Sequence, residues 1–133
     1  MLEYHAWVTL RESPREVDEG NLNRIVAEIR RELADWDSFN PKSSLQPVNG
    51  TYFLTVTGSA NHLSSHIERC RRLLELVAKI APGSYGLFYV WDDEDPAHAN
   101  EFRVWVLARG TLQPRSDPFL SPCIPTFEDP YRE

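Results

Sequence analysis

Cysteine is scarce: of 133 residues only Cys70 and Cys123 carry a thiol, one inside a helical pattern and the other in a proline-rich stretch. That density excludes a disulfide-stapled secreted scaffold, and both thiols are expected to be reduced. Long apolar runs are missing as well. The longest, such as Tyr52 to Leu54 and Leu87 to Trp91, fall far short of the roughly 20 residues a bilayer span needs, so no membrane partner is expected. The opening Met1-Leu2-Glu3-Tyr4-His5 has no basic head, apolar h-region or cleavage site, which sets the expected location as cytoplasmic. No Walker loop, G-x-G-x-x-G, H-E-x-x-H or G-x-S-x-G signature occurs. No residue is therefore assigned a catalytic, metal-binding or cofactor-binding role. Positive charge is in deficit too, with 14 Lys or Arg against 20 Asp or Glu and a net charge of −6, and that sign repels nucleic acid.

What is present is a globular composition, 41% hydrophobic and 26% charged, long enough for one domain with its own core. The expected organisation is a single domain over 1–133, an α/β body at 1–110 and a proline-rich tail at 111–133 packed on it. The negative charge is unevenly placed. Gly86 to Glu133 holds nine acidic residues against four Arg, whereas Met1 to Tyr85 holds eleven against ten basic ones. Its centre is the unbroken run Asp92-Asp93-Glu94-Asp95, which separates two strand-like segments, Tyr85 to Trp91 and Glu101 to Arg109. The run should crown a hairpin, and a one-sided acidic field of this kind attracts basic partners and speeds their association.

Periodicity supplies the elements. Tyr4, Ala6, Val8 and Leu10 alternate with His5, Trp7 and Thr9, so both faces are partly apolar and the segment reads as a central strand. Ser13-Pro14-Arg15-Glu16 has capping-box spacing, with Asp18 or Asn21 as a later cap. Leu22, Ile25, Val26, Ile29, Leu33 and Trp36 then form one apolar helical stripe. Asn49-Gly50 predicts a type I′ hairpin turn, its first arm held to a sheet edge by Pro47 and its second carrying Tyr52, Leu54 and Val56. Gly58 to Asn61 reads as the next break. A second helix is predicted over roughly His62 to Ile80, with a stripe of Leu63, Ile67, Cys70, Leu74, Val77 and Ala81, before Pro82-Gly83 stops it. Two paired strands follow. Beyond Gly110, five prolines from Pro114 to Pro130 read as an extended tail anchored on the body by Phe119, Leu120, Ile124, Phe127 and Tyr131. The order implies an α+β fold, a mainly antiparallel five-stranded sheet with two helices on one face. Its core is ferredoxin-like, one strand is added, and the strand order is 5-4-1-3-2.

Several constellations compete for chemistry. The acidic run lacks the turn glycine and distal glutamate of a calcium loop, so a solvated turn explains it better than a metal site. His62, His66 and Cys70 lie at four-residue steps, a spacing open to zinc, yet they overlap a packing stripe and lack a fourth ligand. Cys123 reads as a small buried apolar group. Of the four tryptophans, Trp91 stands at the mouth of the acidic run, where an aromatic anchor inside a polar rim would sit. Glu101, Asp117, Glu128 and Asp129 extend the same sign of charge. The candidate partner-binding set is therefore Trp91, Asp92, Asp93, Glu94, Asp95, Glu101, Asp117, Glu128 and Asp129.

Three stretches carry a resemblance: Glu3-Tyr4-His5-Ala6-Trp7-Val8-Thr9-Leu10-Arg11-Glu12-Ser13 followed by Asp18-Glu19; Asp92-Asp93-Glu94-Asp95 with Asn100 to Gly110; and Asp117-Pro118-Phe119-Leu120-Ser121-Pro122-Cys123-Ile124-Pro125. Together they resemble immunity protein 7, a family of bacterial polymorphic-toxin immunity proteins. The likeness spans the chain apart from Asp37 to Val48. It implies a protein that binds and neutralises a cognate toxin, such as a nuclease, and that is not an enzyme. An acidic inhibitor would suit the basic surface a nuclease turns to phosphate. Two other readings stay open. One is a small cytoplasmic enzyme with a pocket between sheet and tail, using His5 and a carboxylate. The other is a homodimer formed through a sheet edge.

Overall fold

The computed structural model describes residues 1–14, 20–36, 42–61 and 65–128. Its elements run β1 (Leu2–Thr9), α1 (Leu22–Ala34), β2 (Lys42–Val48), β3 (Thr51–Ala60), α2 (Ser65–Ile80), β4 (Tyr85–Asp92), β5 (Arg103–Ala108) and β6 (Thr111–Ser116). Every strand pairs antiparallel with its neighbours, in the order β2-β3-β1-β4-β5-β6. The four strands interleaved with the helices thus take the ferredoxin-like arrangement, and β1 is central as its two-sided apolar pattern requires. Helix α1 begins at Leu22 after Asn21, the later of the expected caps, although the Asn21 amide donates to Glu12 Oε1 at 2.7 Å instead of closing the helix end. Arg15 to Glu19, and with them half of the alternative capping box and the other later cap, Asp18, lie outside the described residues.

The expected five-stranded sheet is corrected to six strands among the described residues. The sixth, Thr111–Ser116, lies where an extended tail was predicted. The missed signal is the pair Arg109-Gly110, whose φ values of 50° and 75° repeat the geometry of Asn49-Gly50 at 52° and 81°. Both are two-residue turns, and register confirms it: Val48 faces Thr51 and Ala108 faces Thr111. Arginine is an uncommon residue for positive φ, so this hairpin is inconspicuous in sequence. Pro114 argued against a central strand, but β6 is an edge. Proline is tolerated at an edge where its absent N–H would have faced solvent. Pro47 occupies the opposite edge, in β2, so each outermost strand is interrupted as a template for pairing with a second copy.

A second correction concerns Gly58, which does not end β3. The strand continues to Ala60, and Gly58 sits opposite Tyr4 in the β1 ladder. A Cβ there would lie 2.3 Å from the Tyr4 ring, so glycine makes room for a large buried side chain instead of breaking the strand.

The helices share one face of the sheet. Leu2, Tyr4, Ala6 and Val8 of β1, Leu54 and Val56 of β3 and Phe88 and Val90 of β4 are buried in one cluster with Ile25, Val26 and Ile29 of α1 and Leu73, Leu74 and Val77 of α2. Each fully buried Leu, Val or Phe contributes roughly 1.5–3 kcal/mol before the entropy of ordering it is subtracted. The opposite sheet face holds Glu3, His5, Trp7 and Tyr85, with Trp7 and Tyr85 exposed and in edge-to-face contact at 6.4 Å. The His62 to Ser64 start predicted for α2 lies outside the described residues.

Candidate partner-binding surface

The acidic run starts at Asp92, the last residue of β4, and continues into the β4–β5 connection, which is built as a series of tight turns. Asp95 N–H donates to the Asp92 carbonyl, His98 N–H to that of Asp95, and Glu101 N–H to that of His98. Asp92 Oδ1 accepts from Glu94 N–H at 3.0 Å and Asp95 Oδ1 from Ala97 N–H at 3.1 Å. These are the side-chain-closed turns that aspartate favours. Asp93 Oδ1 accepts from the Met1 ammonium at 2.6 Å, and this hydrogen bond raises the amine's pKa above its ordinary value. Glu101 pairs with His98 Nδ1 and also accepts from the Ser116 hydroxyl. Asp93 and Glu94 stand exposed at the tip, while Asp92, Asp95 and Glu101 are half-buried.

Trp91 braces this loop. Its indole N–H donates to the Ala99 carbonyl at 2.8 Å and its ring is half-buried. Behind the loop, Asp92, Asp95, His98, Arg103, Trp105, Val90 and Ile67 enclose a cavity of about 250 Å³. Arg103 therefore offsets part of the field of Asp92 and Asp95 on the inner side, as the Met1 ammonium offsets part of that of Asp93 on the outer side.

The C-terminal segment departs most from expectation. Asp117, a residue only 5% exposed, accepts through its carboxylate from the N–H groups of Phe119 and Leu120 at 3.2 and 3.0 Å. Glu128 takes both the N–H and the hydroxyl of Ser121, and these bonds hold its carboxyl down at about 2. The same Ser121 oxygen accepts from Thr126 N–H at 2.7 Å. Two carboxylates of the candidate set are thus engaged in shaping the segment. Asp129 and Tyr131 lie outside the described residues. Phe119, Leu120, Ile124 and Phe127, predicted to anchor a tail on the body, are instead exposed. Cys123 is exposed too, not a buried apolar group, with its thiol donating to the Ala99 carbonyl at 3.3 Å.

The segment is tied to the acidic loop by a residue that sequence reasoning did not single out. Asn100 Oδ1 accepts from Cys123 N–H and Ile124 N–H, both at 2.8 Å, and its amide donates to the Ile124 carbonyl at 3.0 Å. A contact across more than twenty residues of sequence leaves no local signal.

The other candidates resolve into structure. Tyr4 OH and His66 Nδ1 share a hydrogen bond at 3.3 Å, while burial pushes the Cys70 thiol up to about 12. His62 lies outside the described residues, and among those described no group of three metal-ligating side chains forms. A cleft of about 300 Å³ does lie between sheet and C-terminal segment, lined by Glu3, His5, Tyr89, Phe102, Asp117, Phe119 and Leu120. Within it His5 Nε2 pairs with Glu3 Oε2 at 2.8 Å.

With this geometry in place, one family match decides the assignment: the model of immunity protein 7 covers residues 1–129. The chain belongs to the immunity protein 7 family. It is a polymorphic-toxin immunity protein, and its partner is a cognate toxin protein. The match takes in both the acidic loop and the segment that Asn100 clamps to it. Membership favours a binding protein over an enzyme. No curated protein and no solved structure matches the chain. No helix among the described residues is long and apolar enough to cross a membrane.

Proposed function

We propose that this immunity protein neutralises its toxin stoichiometrically by laying the β4–β5 acidic loop on a basic surface of the toxin, of the kind a nuclease turns towards phosphate. The observation that carries the reading is the exposed pair Asp93 and Glu94 at the tip of a loop held by its own turns, where four carboxylates stand in sequence and the Met1 ammonium engages one of them, Asp93. Because the turns are already closed, the loop meets a partner without further ordering, and its charge steers the encounter. Asp92 and Asp95 support the tip, Glu101 stiffens the far end, and Trp91 fixes the loop to the sheet. The His5–Glu3 pair is read as structural, because family membership favours a binding protein over an enzyme, and the reading involves no cofactor or nucleic acid. The site of action is placed in the cytoplasm, where such a toxin would act.

The test uses the cognate toxin domain. Wild-type chain should bind it and protect cells that express it. Replacing Asp92, Asp93 and Asp95 together with Asn keeps a side-chain oxygen at each turn while removing three charges. Association should slow by about tenfold at low salt and lose much of its salt dependence. An unchanged rate would remove this loop from the docking surface.

A further inference from the structure

Apolar side chains ordinarily hold a loop down by being buried, and Asp117 to Glu128 does the opposite. Polar bonds hold its backbone while Phe119, Leu120, Ile124 and Phe127 remain 71%, 48%, 68% and 53% exposed. Three separate braces maintain that arrangement: Asp117 under Phe119 and Leu120, Glu128 under Ser121, and Asn100 on either side of Ile124. Exposure of four large apolar groups on a fixed frame forgoes burial energy within the chain, and it marks a contact surface. The frame has already lost its backbone freedom, so a partner gains from the apolar contacts with little ordering cost.

We propose that this apolar loop is the energetic centre of toxin docking, and that it enters an apolar concavity on the toxin ringed by Lys or Arg. The inference rests on the immunity reading above and deepens it. Charge decides the occupant. The loop is joined to the acidic run through Asn100, and through the Ala99 carbonyl that accepts from both Trp91 and Cys123. Any partner seated on Ile124 must therefore lie beside the acidic run. A second copy, with net charge −6 and the same acidic loop, would bring like charges together, whereas a basic toxin brings opposite ones. The two loops then divide the work. The acidic run accelerates encounter, and the apolar loop sets the lifetime of the complex.

The experiment measures association and dissociation of the full chain with the cognate toxin domain, for wild type, for Phe119→Ser with Ile124→Ser and Phe127→Ser, and for the Asn-substituted acidic loop. The three serine changes fall on exposed side chains, so an unchanged urea midpoint serves as the folding control. The triple variant should dissociate about 100-fold faster, with association altered less than about threefold, and should no longer protect cells. An unchanged dissociation rate in the triple variant, with wild type still binding, overturns this inference and leaves the immunity reading intact. Failure of wild type to bind or protect overturns both. If light scattering finds a wild-type dimer that the serine changes disperse, the occupant is a second copy and the inference falls.

Discussion

Asn100 grips Ile124 as one strand grips another: its Oδ1 accepts from the Ile124 N–H at 2.8 Å and its Nδ2 donates to the Ile124 carbonyl at 3.0 Å. One side chain thereby replaces a backbone partner and fixes the C-terminal segment to the acidic loop. Each such bond contributes about 0.5–1.5 kcal/mol net. Asn100→Ala should therefore free the Cys123 and Ile124 amides, raising their hydrogen exchange by about tenfold or more and leaving the amides of β1 unchanged. Equal protection in the variant would show that something else holds the segment.

A pH dependence follows from Glu128. Its carboxyl is lowered from 4.5 to about 2 by the hydroxyl and then the N–H of Ser121. A depressed carboxyl contributes its stabilisation in full above its unfolded value and loses it as pH falls through the folded one. The 121–128 turn should thus be intact above about pH 5 and loosen progressively towards pH 2, detectable in the amide shifts of Ser121 and Thr126. Glu128→Gln should remove that titration.

Gly58 tests the core. Gly58→Ala places a methyl group against the buried Tyr4 ring, and overpacking of this kind costs about 1–3 kcal/mol. The urea midpoint should fall accordingly, and Tyr4→Leu in the same chain should recover part of the loss. A Gly58→Ala protein as stable as wild type would mean that the ring has room to shift.

The two thiols should differ sharply in reactivity. Cys123 is exposed and Cys70 is buried with its pKa raised to about 12. A thiol reagent at neutral pH should modify Cys123 in the folded chain and reach Cys70 only on unfolding, as mass spectrometry of the native and denatured protein would show.

Where side chains alternate or recur every three to four residues, the fold was legible. The Asn49-Gly50 turn, the central position of β1, Pro47 at an edge and the strand order through β5 all follow from local pattern. Arg109-Gly110 hid a hairpin because arginine is a rare turn residue, and Gly58 passed for a break because only the Tyr4 ring explains it. The acidic run was plain in sequence. The exposed apolar loop was not, because apolar residues between prolines carry no sign of which way they face. That direction is set by Asp117, Glu128 and Asn100, whose partners are fixed only on folding.

Pro47 and Pro114 give the outermost strands a further meaning. With a donor missing on each rim, the sheet is a poor platform for an incoming strand, which fits the proposal that recognition rests on segments outside the ladder. Loops of this kind can change sequence without touching a single inter-strand bond, and the body can stay constant while the face it presents is rewritten to follow an altered toxin.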